Sequence, residues 1–105
     1  MADDLGNADL GYRGDEVRTP NIDKLATDGV KFEDFYGMPA CTPSRAQLMT
    51  GRYGIRYGLQ TLVIFASHTY GLAIDEWTLP QSLKEPGYKT LMVGKWHLGH
   101  ADRKY

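Results

Sequence analysis

Three short segments carry side chains that local folding does not demand. The first is Cys41-Thr42-Pro43-Ser44-Arg45. A Thr-Pro pair reads as a helix start, with Thr42 as the cap and Pro43, whose φ is preset, at the first helical position. Cys41 then stands just ahead of a helix N-terminus, where unpaired backbone N–H groups and the macrodipole favour an anion. Arg45 falls in the same first turn, where a cation is disfavoured by roughly 0.3–1 kcal/mol unless it faces negative charge. That placement points to a carboxylate or a bound anionic ligand. The plainer alternative is a buried cysteine with Arg45 snorkelling into water.

The second segment, Asp3-Asp4-Leu5-Gly6, pairs two carboxylates beside a turn. Such hard oxygen donors suit a divalent cation, although adjacent acids near a chain end are commonly just solvated. The third, Gly94-Lys95-Trp96-His97-Leu98-Gly99-His100, sets a cation, an aromatic ring and two imidazoles between glycines after an apolar run. Loops at the carboxyl ends of strands are where α/β proteins bind ligands, and Lys95 and His97 together could donate to an anion there. A structural loop would instead use Trp96 for packing and leave both polar groups in water.

These groups need elements to hold them, and the punctuation predicts three helices. One follows Thr19-Pro20, uses Ile22, Leu25 and Ala26 as its apolar face, and stops at Gly29 in a left-handed conformation. The second runs from the Thr42 cap through Ser44 to Thr50 and stops at Gly51. The third runs from a Thr78 cap to Glu85, closed by Pro86-Gly87. Strands are expected at residues 30–35, which partly alternate apolar and polar, at 88–93, and at 61–65 within an otherwise aperiodic stretch. Helices alternating with strands favour an α/β fold over a helical bundle.

Composition narrows the class. A chain of 105 residues, 42% hydrophobic and 24% charged, is globular and at most one domain, which excludes collagen-like, coiled-coil and disordered architectures. Twelve Lys plus Arg against thirteen Asp plus Glu leave a net charge of -1, so no global field gathers nucleic acid or an acidic membrane surface. The longest uncharged stretch, 57–74, is broken by Gly58, Gln60, Ser67, His68, Thr69 and Gly71 and is too polar for a membrane span. Met1-Ala2-Asp3-Asp4 has neither the basic start nor the apolar run of a secretory signal. The protein is therefore cytosolic, or the chain lacks its natural beginning. A single cysteine excludes an internal disulfide and an all-thiolate zinc site.

Taken together, Cys41-x-Pro43-x-Arg45 and Gly87-Tyr88-Lys89-Thr90 running into Val93-Gly94-Lys95-Trp96-His97 resemble the two signature segments of the sulfatase family. Asp3-Asp4-Leu5-Gly6 is similar to that family's metal-binding start, and Thr19-Pro20-Asn21-Ile22-Asp23-Lys24-Leu25 to its first helix. Within the family the match looks closest to the arylsulfatase B-like branch, through Thr50-Gly51-Arg52-Tyr53, Gly58-Leu59-Gln60, Leu79-Pro80-Gln81 and Leu83-Lys84-Glu85. Two departures are visible: Ala40 replaces a larger aliphatic residue before the cysteine, and Pro86 replaces a helix-compatible residue.

The resemblance implies an alkaline-phosphatase-like α/β fold, a mixed sheet flanked by helices, of which residues 1–105 are the N-terminal portion of the catalytic domain. The strand preceding Asp3-Asp4, further metal ligands, a His and a Lys are expected outside this chain. It implies that a formylglycine-generating enzyme oxidises Cys41 to formylglycine, whose hydrate attacks the sulfur of a sulfate ester, either an aryl sulfate or a sulfated glycan, and whose second hydroxyl then lets sulfate leave. Asp3, Asp4 and residue 41 would ligate a calcium ion. Arg45 and Lys95 would stabilise the diol, Lys95 would also reach the sulfate, and His97 would assist deprotonation. Sulfatases of this branch are lysosomal or secreted. The alternatives are a phosphonate or phosphate ester hydrolase of the same superfamily, a truncated sulfatase-like binding protein, and a thiol enzyme pairing a Cys41 thiolate with His97. The isolated chain is expected neither to fold stably nor to turn over substrate.

Overall fold

The computed structural model describes residues 1–14 and 16–105. The chain divides into two compact units, Met1–Tyr36 and Gly37–Tyr105.

In the first unit a 3-10 turn at Asn7–Asp9 precedes helix α1, Pro20–Asp28. Pro20 opens the helix as the sequence predicts. The Thr19 hydroxyl does not cap it but bonds sideways, donating to Asp23 Oδ1 at 2.7 Å and accepting from the Gly11 amide at 2.7 Å. With the Tyr12 amide also donating to Asp23 Oδ1, the helix start is tied to the preceding turn. Gly29 ends α1 in extended backbone, with φ -122° and ψ -159°, not in the left-handed region expected. The Gly29 amide still donates to the Leu25 carbonyl at 3.0 Å, so the last turn closes without it. Ile22 and Leu25, the expected apolar face, remain exposed.

The second unit holds α2, Cys41–Thr50, a 3-10 turn at Gly54–Arg56, and α3, Leu79–Lys84. Helix α2 starts earlier than predicted. Ala40, extended at φ -130°, is its cap residue and Cys41 its first helical residue. Pro43 still fits because the first N–H groups of a helix have no intrahelical partner to lose. Gly51 ends α2 as expected, at φ 65°. Thr78 precedes α3 and its amide donates to Gln81 Oε1 at 2.7 Å. The stop after Lys84 uses Gly87 at φ 94°, with the Gly87 and Tyr88 amides donating back to Lys84 and Leu83. Helix α3 packs against α2.

The core of this unit is Ala46, Leu59, Ile64, Leu72 and Leu98, with Met49, Tyr57 and Trp96 against it. Arg52, just past the end of α2, pairs with Glu76 at 2.6 Å and so ties α2 to the approach to α3. Gly99, at φ 136°, lies so close to Tyr105 that a Cβ there would come within 2.5 Å of it.

No strand is present among the described residues, which corrects the expected sheet strands at 30–35, 61–65 and 88–93. The reason is that a strand exists only through its ladder of bonds to a neighbour. These segments have strand-like composition but no partner. Leu91 and Val93 are about nine-tenths exposed, and Phe32 and Phe35 about three-quarters.

Candidate active site

Helix α2 brings its first turn against the loop that follows residue 93. Cys41, half-buried, receives a hydrogen bond from Lys95, whose Nζ lies 3.1 Å from Sγ. One turn along, Arg45 donates from its guanidinium to the Lys95 main-chain oxygen at 2.5 Å. The carbonyl gives this cation a negative partial charge to face at the positive end of a helix. The α2 start therefore carries a polar side chain with a primary ammonium beside it and a guanidinium fixing that ammonium's backbone. Such a cradle suits an oxygen-bearing side chain at position 41 and an anion next to it.

Thr42 does something the sequence did not foretell. Expected as a helix cap, it lies inside the first turn with no exposed surface. Its hydroxyl donates to the His97 carbonyl at 2.8 Å and accepts from the Ile64 amide at 3.0 Å. His97 Nε2 in turn lies 3.0 Å from the Ile64 carbonyl oxygen. A carbonyl only accepts, so Nε2 carries the hydrogen and donates it. His97 Nδ1 is buried with no hydrogen-bond partner among the described residues. The residue sits at φ 61°, a left-handed conformation that costs a non-glycine about 1–3 kcal/mol and persists only where the surroundings hold it. Here both its carbonyl and its imidazole are held. The neighbouring His100 bonds through Nε2 to the Ala66 carbonyl, so the same 61–66 segment anchors both imidazoles.

Cys41, Arg45, Lys95 and His97 thus belong to one hydrogen-bonded region of the second unit. Asp3 and Asp4 lie in the first unit, both exposed, with Asp4 in the left-handed region at φ 56°. Two adjacent carboxylates are the donor chemistry calcium takes, and they would supply part of the six to eight oxygens such an ion coordinates. Thr42 and the Ile64 peptide are what sequence reasoning missed. A threonine in a first helical turn competes with the helix for hydrogen bonds, which is a faint signal of outside use. The Ile64 contribution is entirely main chain and leaves no trace in residue type.

The family model described as Sulfatase matches residues 1–105. The chain is 56% identical over 99 residues to arylsulfatase J of Mus musculus, covering 94% of this chain and 17% of that protein. It is 51% identical over 101 residues to arylsulfatase A of Bos taurus, covering 94% of this chain and 20% of that one. Its backbone superposes on the solved structure titled "Crystal structure of Ps i-CgsB" with a TM-score of 0.87 at 42% identity, covering 98% of this chain and 23% of that chain. The chain belongs to the sulfatase family. It spans less than a quarter of the length of these relatives. Among the described residues no helix is long and apolar enough to cross a membrane.

Proposed function

We propose that the full-length protein carrying this chain hydrolyses sulfuric esters, with residue 41 working as formylglycine. The observation that carries the reading is the Lys95 ammonium 3.1 Å from the Cys41 sulfur at the first residue of α2. In the structure the sulfur stands where the modified residue would carry oxygen. Formylglycine at position 41, as its hydrate, would supply the attacking hydroxyl and a second hydroxyl for the release of sulfate, and Asp3, Asp4 and residue 41 would hold a calcium ion whose chemistry would be that of added positive charge. The chain's own residues do the rest. Lys95 offsets negative charge gathering at position 41 and on the sulfuryl oxygens. Arg45 keeps the Lys95 backbone in place and adds a delocalised cation to the same turn. His97, with Nε2 committed to the Ile64 carbonyl, offers Nδ1 as the atom that takes a proton from the second hydroxyl.

The formylglycine-generating enzyme is the partner this reading requires, and the substrate is an aryl sulfate or a sulfated glycan, with sulfated amino sugars favoured by the arylsulfatase B-like features. A lysosomal or secreted location and the mixed sheet of an alkaline-phosphatase-like domain belong to the same reading. The test has two parts. Mass spectrometry of the residue 41 peptide, from protein made in its native host, should find the aldehyde in place of the thiol. Matched aryl sulfate and aryl phosphonate esters should then be hydrolysed in favour of the sulfate; a faster phosphonate reaction sinks the assignment and points to the phosphonate hydrolases of the superfamily.

A further inference from the structure

Three hydrogen bonds in the second unit close on themselves. The Thr42 hydroxyl donates to the His97 carbonyl, the Ile64 amide donates to the Thr42 hydroxyl, and His97 Nε2 donates to the Ile64 carbonyl. Each residue gives one bond and receives one. The ring joins positions separated by 22, 33 and 55 residues, and Thr42 and Ile64 within it are almost wholly buried. It also joins three functional parts: the helix turn that begins with residue 41, the loop that carries Lys95 and His97, and the segment between them.

We propose that Thr42 is a positioning residue, whose hydroxyl closes this ring and thereby fixes the tautomer and aim of the His97 imidazole relative to residue 41. The inference rests on the sulfatase reading, in which His97 moves a proton. A helix cap would need only the local amides of α2. Thr42 instead spends both capacities of its hydroxyl on other segments, and no other side chain enters the ring except His97 itself. Its removal leaves the buried Ile64 N–H and the part-buried His97 C=O without their partner. The His97 backbone, already in the left-handed region, then loses one of the two anchors that hold it there. The Nε2 bond to Ile64 is the second anchor, and it weakens as the 64 peptide is released. With it goes the preference for hydrogen at Nε2 that leaves Nδ1 free to act as a base.

The experiment uses the full-length protein and compares Thr42→Val, which keeps the shape and deletes the hydroxyl, with Thr42→Ser, which keeps the hydroxyl. Because residue 42 neighbours the modified position, the formylglycine content of every variant is measured first and rates are expressed per modified site. Thr42→Val should lower kcat by about tenfold to a hundredfold while KM changes by less than about twofold, and Thr42→Ser should restore most of the loss. A Thr42→Val enzyme with wild-type kcat overturns the proposal, as does a Thr42→Ser enzyme as slow as Thr42→Val. Should Thr42→Val fail to fold, selective 15N-histidine NMR of the wild-type protein decides. His97 is expected as the neutral tautomer with hydrogen on Nε2, and hydrogen on Nδ1 alone overturns the ring. Failure of the sulfatase reading registers separately, as unmodified cysteine at position 41 in active wild-type protein, and the His97 tautomer measurement does not depend on that result.

Discussion

Lys95 reaches back across 54 residues of sequence to set its ammonium nitrogen 3.1 Å from the sulfur of Cys41. An ammonium is a compact, strongly hydrated charge on a flexible stem, and here the Arg45 guanidinium holds the backbone that carries it. The pair therefore sets a cation against the side chain that the proposed function makes the nucleophile.

Replacing that cation is the most direct check. In the full-length protein Lys95→Ala should lower kcat for an aryl sulfate by about 10²–10³, the usual loss for one preorganised charge partner of a developing oxyanion. Steady-state kinetics measure it, and unchanged kcat would remove Lys95 from the mechanism.

Position 41 separates attack from release. A Cys41→Ser variant has one hydroxyl and no second, so it should release at most one equivalent of alcohol per site and then stop. Rapid-mixing measurement of the released phenol distinguishes this from slow steady turnover.

The acidic pair tests the metal. Asp3→Asn and Asp4→Asn should each weaken calcium binding, so that activity falls at low calcium and recovers in part when calcium is raised. Treating the wild-type protein with a chelator and restoring calcium should reproduce the loss and its reversal.

Gly99 is the stability check. At φ 136°, with a Cβ position 2.5 Å from Tyr105, it has no room for a side chain and a backbone few other residues adopt. Gly99→Ala should cost about 1–3 kcal/mol, read as a lowered denaturation midpoint of the full-length protein.

The polypeptide 1–105 by itself should bind hydrophobic dyes, lack a cooperative thermal transition and fail to hydrolyse aryl sulfate. Leu91, Val93, Val30 and Phe35 are more than three-quarters exposed in it, and an apolar surface of that extent needs covering.

What was legible in the sequence was local. Pro20, Gly51, Thr78 and Gly87 act within a turn of where they stand, so the three helices could be read with bounds off by a residue or two. The strands could not, because residues 30–35 and 88–93 have the composition of strands but the state depends on a neighbour that composition does not contain. Thr42 failed for the opposite reason: its cap grammar is local, whereas its hydroxyl answers to residues 22 and 55 positions away. Among the site residues, Cys41, Arg45, Lys95 and His97 were named from two motifs and their likeness to a family. The ammonium on the sulfur and the imidazole on the Ile64 carbonyl are products of folding that no spacing rule predicts.

Arg45 grips the main-chain oxygen of residue 95, an atom every amino acid possesses. The tether consequently survives any exchange of the side chain it supports. An engineer could swap the charge, length or nucleophilicity presented at that position without redesigning the loop, treating residue 95 as an interchangeable tool on a fixed mount.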